Sequence, residues 1–305
     1  MIGAVCAVVV AFYFLPYLIH HSIVAYLAPV RNLKKAYNAR WALVTGASSG
    51  IGKSLAKKLA SQDLNVVLVA LQDQLLDTTH QELTAAFPKV TFKKVGVNLG
   101  APGYLDAIKK ATADLDVTVV FCNAGYMLTG FFEDRPLEAQ LANLECNAVS
   151  AVQITHHFLA NMVAKKQRGC FVYTSSAAAA MPSPFTSLYA ATKAFISSFG
   201  AALAVEVRHH GIDVLVFHPS PVATRFYEKA HKLDVLEFFR SQAVSPDSLP
   251  DAVFASIGRT VWRDIGLTAV AFRLVMKDVN TQASYLCHQG RVNMPEHMHY
   301  SGPPK

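Results

Sequence analysis

Tyr189 and Lys193 stand four residues apart in Leu188 to Phe199, a stretch whose pattern predicts a helix. Their side chains therefore share one helix face. A free phenol, with a pKa near ~10, is a poor acid–base catalyst at neutral pH. An ammonium about 4 Å away, at an effective dielectric of ~20, favours the phenolate by up to about 4 kcal/mol, or roughly three pKa units. That brings Tyr189 toward a working range. Ser176 lies thirteen residues before Tyr189, at the end of Gly169 to Ser176, which reads as a buried strand closing in hydroxyls. Asn147 lies further upstream. Singly, these residues have ordinary readings: a surface Tyr/Lys pair, a capping Ser. In order, and downstream of a nucleotide-binding turn, they point to catalysis.

That turn is Thr45-Gly46-Ala47-Ser48-Ser49-Gly50-Ile51-Gly52. It follows the apolar run Trp41 to Thr45 and precedes a helical pattern from Ile51 to Leu59. Strand, tight turn and helix form the setting a dinucleotide fingerprint requires. Glycines let backbone N–H groups approach a pyrophosphate, and the helix N-terminus adds partial positive charge. The spacing is G-x-x-x-G-x-G rather than the commoner G-x-G-x-x-G.

The set resembles the short-chain dehydrogenase/reductase family from about Arg40 to Thr224, with its motifs in the family's order. The resemblance implies a catalytic group of Asn147, Ser176, Tyr189 and Lys193. Tyr189 would protonate the carbonyl oxygen during reduction and Ser176 would hydrogen-bond it. Lys193 would also hold the nicotinamide ribose, and Asn147 would position a water linking Lys193 to solvent. Cofactor contacts are implied for Thr45, Gly46, Ser48, Ser49, Gly50, Ile51, Gly52, Leu71, Asn98, Asn123, Ala124, Gly125, Tyr189, Lys193, Pro219, Val222 and Thr224. Cys122-Asn123-Ala124-Gly125 is similar to the family's Asn-Ala-Gly turn, with Cys122 where Asn is common; the turn usually braces the central strands. His218-Pro-Ser-Pro-Val-Ala-Thr224 is similar to its Pro-Gly-x-Val-x-Thr turn. Ser220 replaces the glycine and Pro221 follows, so a stiffer loop is expected.

The strand Asn65 to Ala70 bears on cofactor choice. A carboxylate at its end would bind the ribose 2′-OH of NAD, and a nearby Arg the 2′-phosphate of NADP. By family register Ala70 holds the acidic position and Leu71 the basic one, so both signals are missing. Without a carboxylate nothing repels a 2′-phosphate, which favours NADP(H) over NAD(H). Gln72 suits either ribose. Asn98 stands where the family has an Asp near the adenine.

Strands are expected near 41–45, 65–70, 91–97, 117–121, 170–175 and 213–217, alternating with helices. This predicts an α/β fold, a doubly wound Rossmann-type parallel sheet with an N-terminal hydrophobic membrane segment. Met1 to Val30 has no Asp, Glu, Lys or Arg, and a bilayer core takes about 20 apolar residues as a helix. The run lacks the basic start of a secretory signal. It reads as a retained anchor, 1–30, whose Pro16, followed by His20 and His21, kinks a single span or turns a shallow hairpin. A basic juxtamembrane linker, 31–40, carries Arg31, Lys34, Lys35 and Arg40, four of the net +7 charges. The positive-inside rule then keeps the catalytic domain, 41–285, cytosolic; the endoplasmic reticulum is the expected membrane. Residues 286–305 read as a polar tail.

The chain has 305 residues, 52% of them hydrophobic, and a mean hydropathy of +0.27. No basic helix interleaves with aromatics, which excludes nucleic acid as an expected partner. Cys6, Cys122, Cys146, Cys170 and Cys287 are odd in number and widely spaced, reading as thiols in a reducing compartment. His288, His297 and His299 read as solvated tail residues, and no metal site is expected. Trp262, Ile265, Ala269, Phe272 and Met276 recur at helical spacing, with Arg263, Asp264, Arg273 and Lys277 elsewhere on the wheel. Core packing is favoured for this stripe over membrane docking.

Residues 225–250 interrupt the strand–helix rhythm with Phe226, Tyr227, Leu236, Phe238 and Phe239, as the family's substrate lid does. Packing accounts for these aromatics equally well; read as a lid, they and the anchor together suggest a lipophilic substrate. Within the family the chain looks most like membrane-bound 3-oxoacyl-CoA reductases and 17β-hydroxysteroid dehydrogenases. Retinoid and keto-sphingoid reductases stay open, as does a catalytically silent cofactor-binding membrane or lipid-droplet protein. A homodimer is compatible with this reading.

Overall fold

Strand alternation builds the core. The computed structural model describes residues 14–227 and 240–275. Its strands are β1 (Trp41–Thr45), β2 (Asn65–Ala70), β3 (Phe92–Gly96), β4 (Val117–Cys122), β5 (Gly169–Thr174), β6 (Ile212–Pro219) and β7 (Trp262–Ile265). They form one sheet in the order β3-β2-β1-β4-β5-β6-β7, and every pairing is parallel. Successive side chains in a strand point to opposite faces. Ala42, Val44, Val66, Leu68 and Phe121 therefore pack on one side, and Leu43, Val67, Val69 and Val120 on the other.

Helices cover both faces. Leu55 and Leu59 of α3 (Gly50–Ala60) pack on the first, with Val253 and Phe254 of α9 (Leu249–Ser256). Ile108 of α5 (Tyr104–Thr112), Phe158 and Met162 of α7 (Ser150–Ala164), and Ile196 and Leu203 of α8 (Ser187–Val207) pack on the second. This is the doubly wound arrangement expected. Strand order reverses between β1 and β4, and such folds bind ligands in the crevice at that switch. The helix α8 is long and apolar enough to cross a membrane by composition, yet it is a core helix of the sheet. Two further helices follow β2 and β4: α4 (Gln74–Ala86) and α6 (Leu137–Leu144).

Three expectations change. The stripe from Trp262 to Met276 is not one helix. Trp262–Ile265 is the edge strand β7, a turn follows at Gly266, and α10 spans Leu267–Val275. Ile265 and Ala269 are buried, as core packing requires. Leu249 and Pro250, expected within the lid, already lie in α9. Residues 31–40 are also more than a basic tether. They contain α2 (Leu33–Tyr37), whose Leu33 and Tyr37 are buried in the core. Arg31 pairs with Asp213 of β6 at 3.0 Å, and Tyr37 donates to the same carboxylate.

The apolar N-terminal run contributes α1 (Phe14–Leu27). One face docks on the domain: Tyr17 donates to Asp264 at 2.9 Å, His21 accepts from Arg263 at 2.8 Å, and Val24 is buried. Leu15, Ile19, Ile23 and Leu27 are exposed on the remainder. The first part of the anchor, the lid residues Leu236, Phe238 and Phe239, and Met276, Lys277 and the tail lie outside the described residues, as do Cys6, Cys287 and the three tail histidines.

Candidate active site

The site begins at the turn between β1 and α3. Gly46 and Gly50 hold φ of +64° and +51°, a region L side chains seldom enter. Ser49 is the extended residue before α3 and its side chain makes no cap bond. The first N–H groups of α3 thus face the crevice at the switch point, where a pyrophosphate fits. Thr224 packs over Gly50: a β-carbon there would lie 2.8 Å from its methyl group. Ile51 packs against the core beneath.

Two expected cofactor residues serve the sheet. The Thr45 hydroxyl accepts from the N–H groups of Asn123 (2.9 Å) and Ala124 (3.0 Å). The Asn123 amide donates to the Thr45 carbonyl at 3.1 Å and accepts from Thr174 at 3.0 Å. These bonds tie β1, β4 and β5 together and fix the floor of the crevice. Ser48 accepts from Thr79 of α4 through its carbonyl.

Lys193 is tightly constrained. It is 4% exposed, donates to the Thr174 carbonyl at 2.8 Å, and lies 5.7 Å from the centroid of the Tyr189 ring. Burial brings its ammonium down to about 8, because a charge in a low-dielectric setting loses hydration. Its carbonyl accepts from Ser175 at 2.9 Å, which locks this turn of α8 to the end of β5. Tyr189 is half-buried, its ring 5.3 Å from that of Phe226. Ser176 begins the short turn after β5, and its Oγ accepts from the Ala178 N–H at 3.1 Å. It is a cap, as its plain reading held, and its hydroxyl hydrogen stays available to a substrate oxygen.

Asn147 sits in a π-turn, Glu145–Val149, between α6 and α7. Such turns open the helix ladder and often carry functional groups. Its amide donates to the Tyr126 carbonyl at 2.8 Å and accepts from the Tyr126 N–H at 2.9 Å. Gly125 faces both groups. A β-carbon at Gly125 would stand 3.1 Å from Asn147 Oδ1 and 3.3 Å from Lys193 Nζ. The Asn-Ala-Gly turn, the π-turn and α8 thus converge on one point.

At the adenosine end, Leu71 is exposed and Gln72 lies against Gly96. The nearest acid, Asp73, caps α4 by accepting from the Leu76 N–H at 3.0 Å. Asn98 accepts from the Gly100 N–H at 2.9 Å and keeps its amide donors. Past β6, Pro219 ends the strand, and Val222 is buried and bridges to Val244. Ser220, in place of the family's glycine, accepts from the Ala269 N–H at 3.1 Å. It secures α10 against this loop.

Sequence reading missed Arg225 and Arg240. They line a cavity of about 440 Å³ with Gly50, Ala223, Thr224, Ala243 and Pro246. A cationic wall beside the glycine turn suits a pyrophosphate. Their position within the expected lid, 225–250, was the only signal available. The donor set as a whole fits a nicotinamide dinucleotide.

Residues 40–233 match the profile of the family described as short chain dehydrogenase. The very-long-chain 3-oxoacyl-CoA reductase of Laccaria bicolor is 30% identical over 76% of this chain and 68% of its own length. Mouse (Mus musculus) 17-beta-hydroxysteroid dehydrogenase type 3 is 35% identical, over 61% of each chain. Among solved structures, a short-chain dehydrogenase from Sphingobium yanoikuyae in complex with NADPH superposes with a TM-score of 0.68. It is 25% identical and covers 83% of this chain and 94% of its own.

Proposed function

Since this chain belongs to the short-chain dehydrogenase family, we propose that it is a membrane-associated oxidoreductase that uses NADP(H) to reduce the carbonyl of a lipophilic substrate. A 3-oxoacyl-CoA or a ketosteroid is favoured. The observation that carries the reading is the buried Lys193 ammonium, held by Thr174 beside the Tyr189 ring, at the crevice where strand order reverses.

The cofactor supplies the hydride. The chain's own residues manage the oxygen and the proton. Ser176 and Tyr189 hydrogen-bond the substrate oxygen, and Tyr189 gives it the proton as negative charge develops there. Lys193 lowers the cost of the resulting phenolate through its nearby charge. Asn147, fixed by two bonds to Tyr126, keeps the approach to Lys193 polar. The preference for NADP(H) rests on Ala70 at the end of β2, which leaves no carboxylate at the position that would bind the ribose 2′-OH. The apolar N-terminal run and the exposed face of α1 support attachment to a membrane, with the catalytic domain cytosolic and the endoplasmic reticulum as the expected site.

The test is NADPH oxidation by the membrane-embedded protein, with a long-chain 3-oxoacyl-CoA and a 17-ketosteroid offered separately and Tyr189→Phe in parallel. Turnover with one substrate that disappears in Tyr189→Phe supports the reading and names the branch. NADPH binding without turnover on either substrate would sink both substrate classes and leave the fold standing.

A further inference from the structure

A cavity of about 400 Å³ lies between α1 and the β7–α10 edge, lined by Tyr17, His20, His21, Trp262, Arg263 and Arg273, with Val24 and Thr260. It is separate from the cofactor crevice, which opens between β1 and β4; β7 is the far edge strand of the sheet. Nothing in the proposed catalysis uses it.

Its charges do not balance. Asp264 is 1% exposed, and its two oxygens are taken by Arg273 (3.1 and 3.2 Å) and Tyr17 (2.9 Å). Arg273 also lies over the Trp262 ring, 4.7 Å from its centroid. Arg263 is different. It is 5% exposed, and among the described residues it pairs with no carboxylate. Both of its hydrogen bonds run from one nitrogen to neutral acceptors, the His21 ring at 2.8 Å and the His21 carbonyl at 3.2 Å. Its Nε has no partner among the described residues. Burying a guanidinium without an anion is costly, and burial here draws the Arg263 cation below its ordinary value. The pocket is one negative charge short.

The surroundings suggest where that charge comes from. Leu15, Ile19 and Ile23 are exposed along α1, and Leu267, which opens α10, is 85% exposed. His20, at the rim, follows Ile19 directly. A cationic pocket next to an exposed apolar helix face is the arrangement that holds a headgroup while acyl chains lie against the helix. Arginine forks match phosphate oxygens in pairs.

We propose that this pocket binds the phosphate of an anionic phospholipid, with Arg263 as its principal cation and Arg273, His20 and His21 around it, and that the bound lipid fastens α1 to the catalytic domain. The proposal does not depend on the substrate or cofactor assigned above.

The test uses the full chain in a neutral detergent, following tryptophan fluorescence and the unfolding temperature. Dioctanoyl phosphatidic acid, dioctanoyl phosphatidylcholine and inorganic phosphate are titrated separately. Phosphatidic acid should saturate the signal and raise the unfolding temperature, with at least tenfold weaker binding in Arg263→Gln. His20→Glu changes only an exposed rim residue, so it reports the same loss even if Arg263→Gln fails to fold. Inorganic phosphate binding as tightly as the lipid would overturn the lipid assignment. Equal binding of phosphatidylcholine, no saturable binding, or affinity unchanged in both variants would overturn the site.

Discussion

The Lys193 ammonium donates to the carbonyl oxygen of Thr174 across 2.8 Å, so the last residue of β5 holds the charge that α8 brings in. Strand and helix are further joined by Ser175, whose hydroxyl donates to the Lys193 carbonyl at 2.9 Å. The position of the ammonium is therefore set by the sheet, with little freedom left to the lysine itself. Such placement opposes folding, because a cation has been taken out of water.

That conflict predicts a trade between stability and activity. Lys193 has a folded pKa of about 8 against an ordinary 10.5. Between those values the unfolded chain holds a proton that the native chain lacks, so stability rises with pH across the window. Below pH 8 the native state carries the whole cost, roughly 3 kcal/mol. Lys193→Met should therefore be more stable than wild type at pH 7 by up to about that much, with the gap closing toward pH 10.5. Its turnover should fall about a hundredfold or more. Urea unfolding at the two pH values, beside an NADPH assay, checks this; a variant less stable than wild type at pH 7 contradicts it.

Gly125 gives a finer test of the geometry. An alanine there would press on Asn147 Oδ1 and Lys193 Nζ, at 3.1 and 3.3 Å. Both are side-chain termini that can yield by a few tenths of an ångström, so the fold should survive. Their registration should not, and small misplacements near the chemistry commonly cost about ten- to a hundredfold in rate. Gly125→Ala is expected to lose that much in kcat/KM while its unfolding temperature stays within a few degrees of wild type. Full activity in the variant would mean that the space between the two groups is not used.

Much of this was legible in the sequence, and the exceptions share a cause. β1, β2, β4, β5 and β6 are runs rich in Val, Leu and Phe, the signature of strands buried on both faces. β7 reads Trp-Arg-Asp-Ile, and it escaped notice because its Arg263 and Asp264 are buried through partners on α1 and α10 that no local pattern reveals. Likewise the positive charges of 31–40 hid Leu33 and Tyr37, which are core residues. Within the site, the spacing of the glycine turn and of Tyr189 and Lys193 was visible. The carbonyl that holds Lys193 was not, since every residue has one.

The cofactor preference is open to a single exposed position. Leu71 follows β2 directly and is 55% exposed, so a change there does little to folding. Leu71→Arg would offer a guanidinium to a 2′-phosphate. It should raise kcat/KM for NADPH about fivefold or more, consistent with a charge-assisted bond of ~1–2 kcal/mol. Leu71→Asp should lower it by a similar factor and leave NADH less affected. If both variants treat the two cofactors alike, the 2′-phosphate does not reach this strand end.

The last prediction concerns a buried histidine that the sequence singled out only as part of a loop. His218 is fully buried, 2.9 Å from Ser197 through Nε2 and 3.5 Å from Asp264 through Nδ1. A carboxylate at Nδ1 favours the tautomer with its proton there, leaving Nε2 to accept from Ser197. Burial then pushes the imidazole down to about 3. As pH falls below 6.5 the unfolded chain takes up a proton that the native histidine refuses, so stability is lost from about pH 6.5 toward 3. Between pH 7 and 5 the loss from this one group is roughly 2 kcal/mol. His218→Gln keeps an acceptor for Ser197 and removes the titration. It should start less stable than wild type at pH 7 and close about 2 kcal/mol of that difference by pH 5. Urea titrations at the two pH values measure it. Parallel acid limbs in the two proteins would show that His218 is protonated in the native state as readily as in the unfolded chain, which its burial against Trp262 argues against.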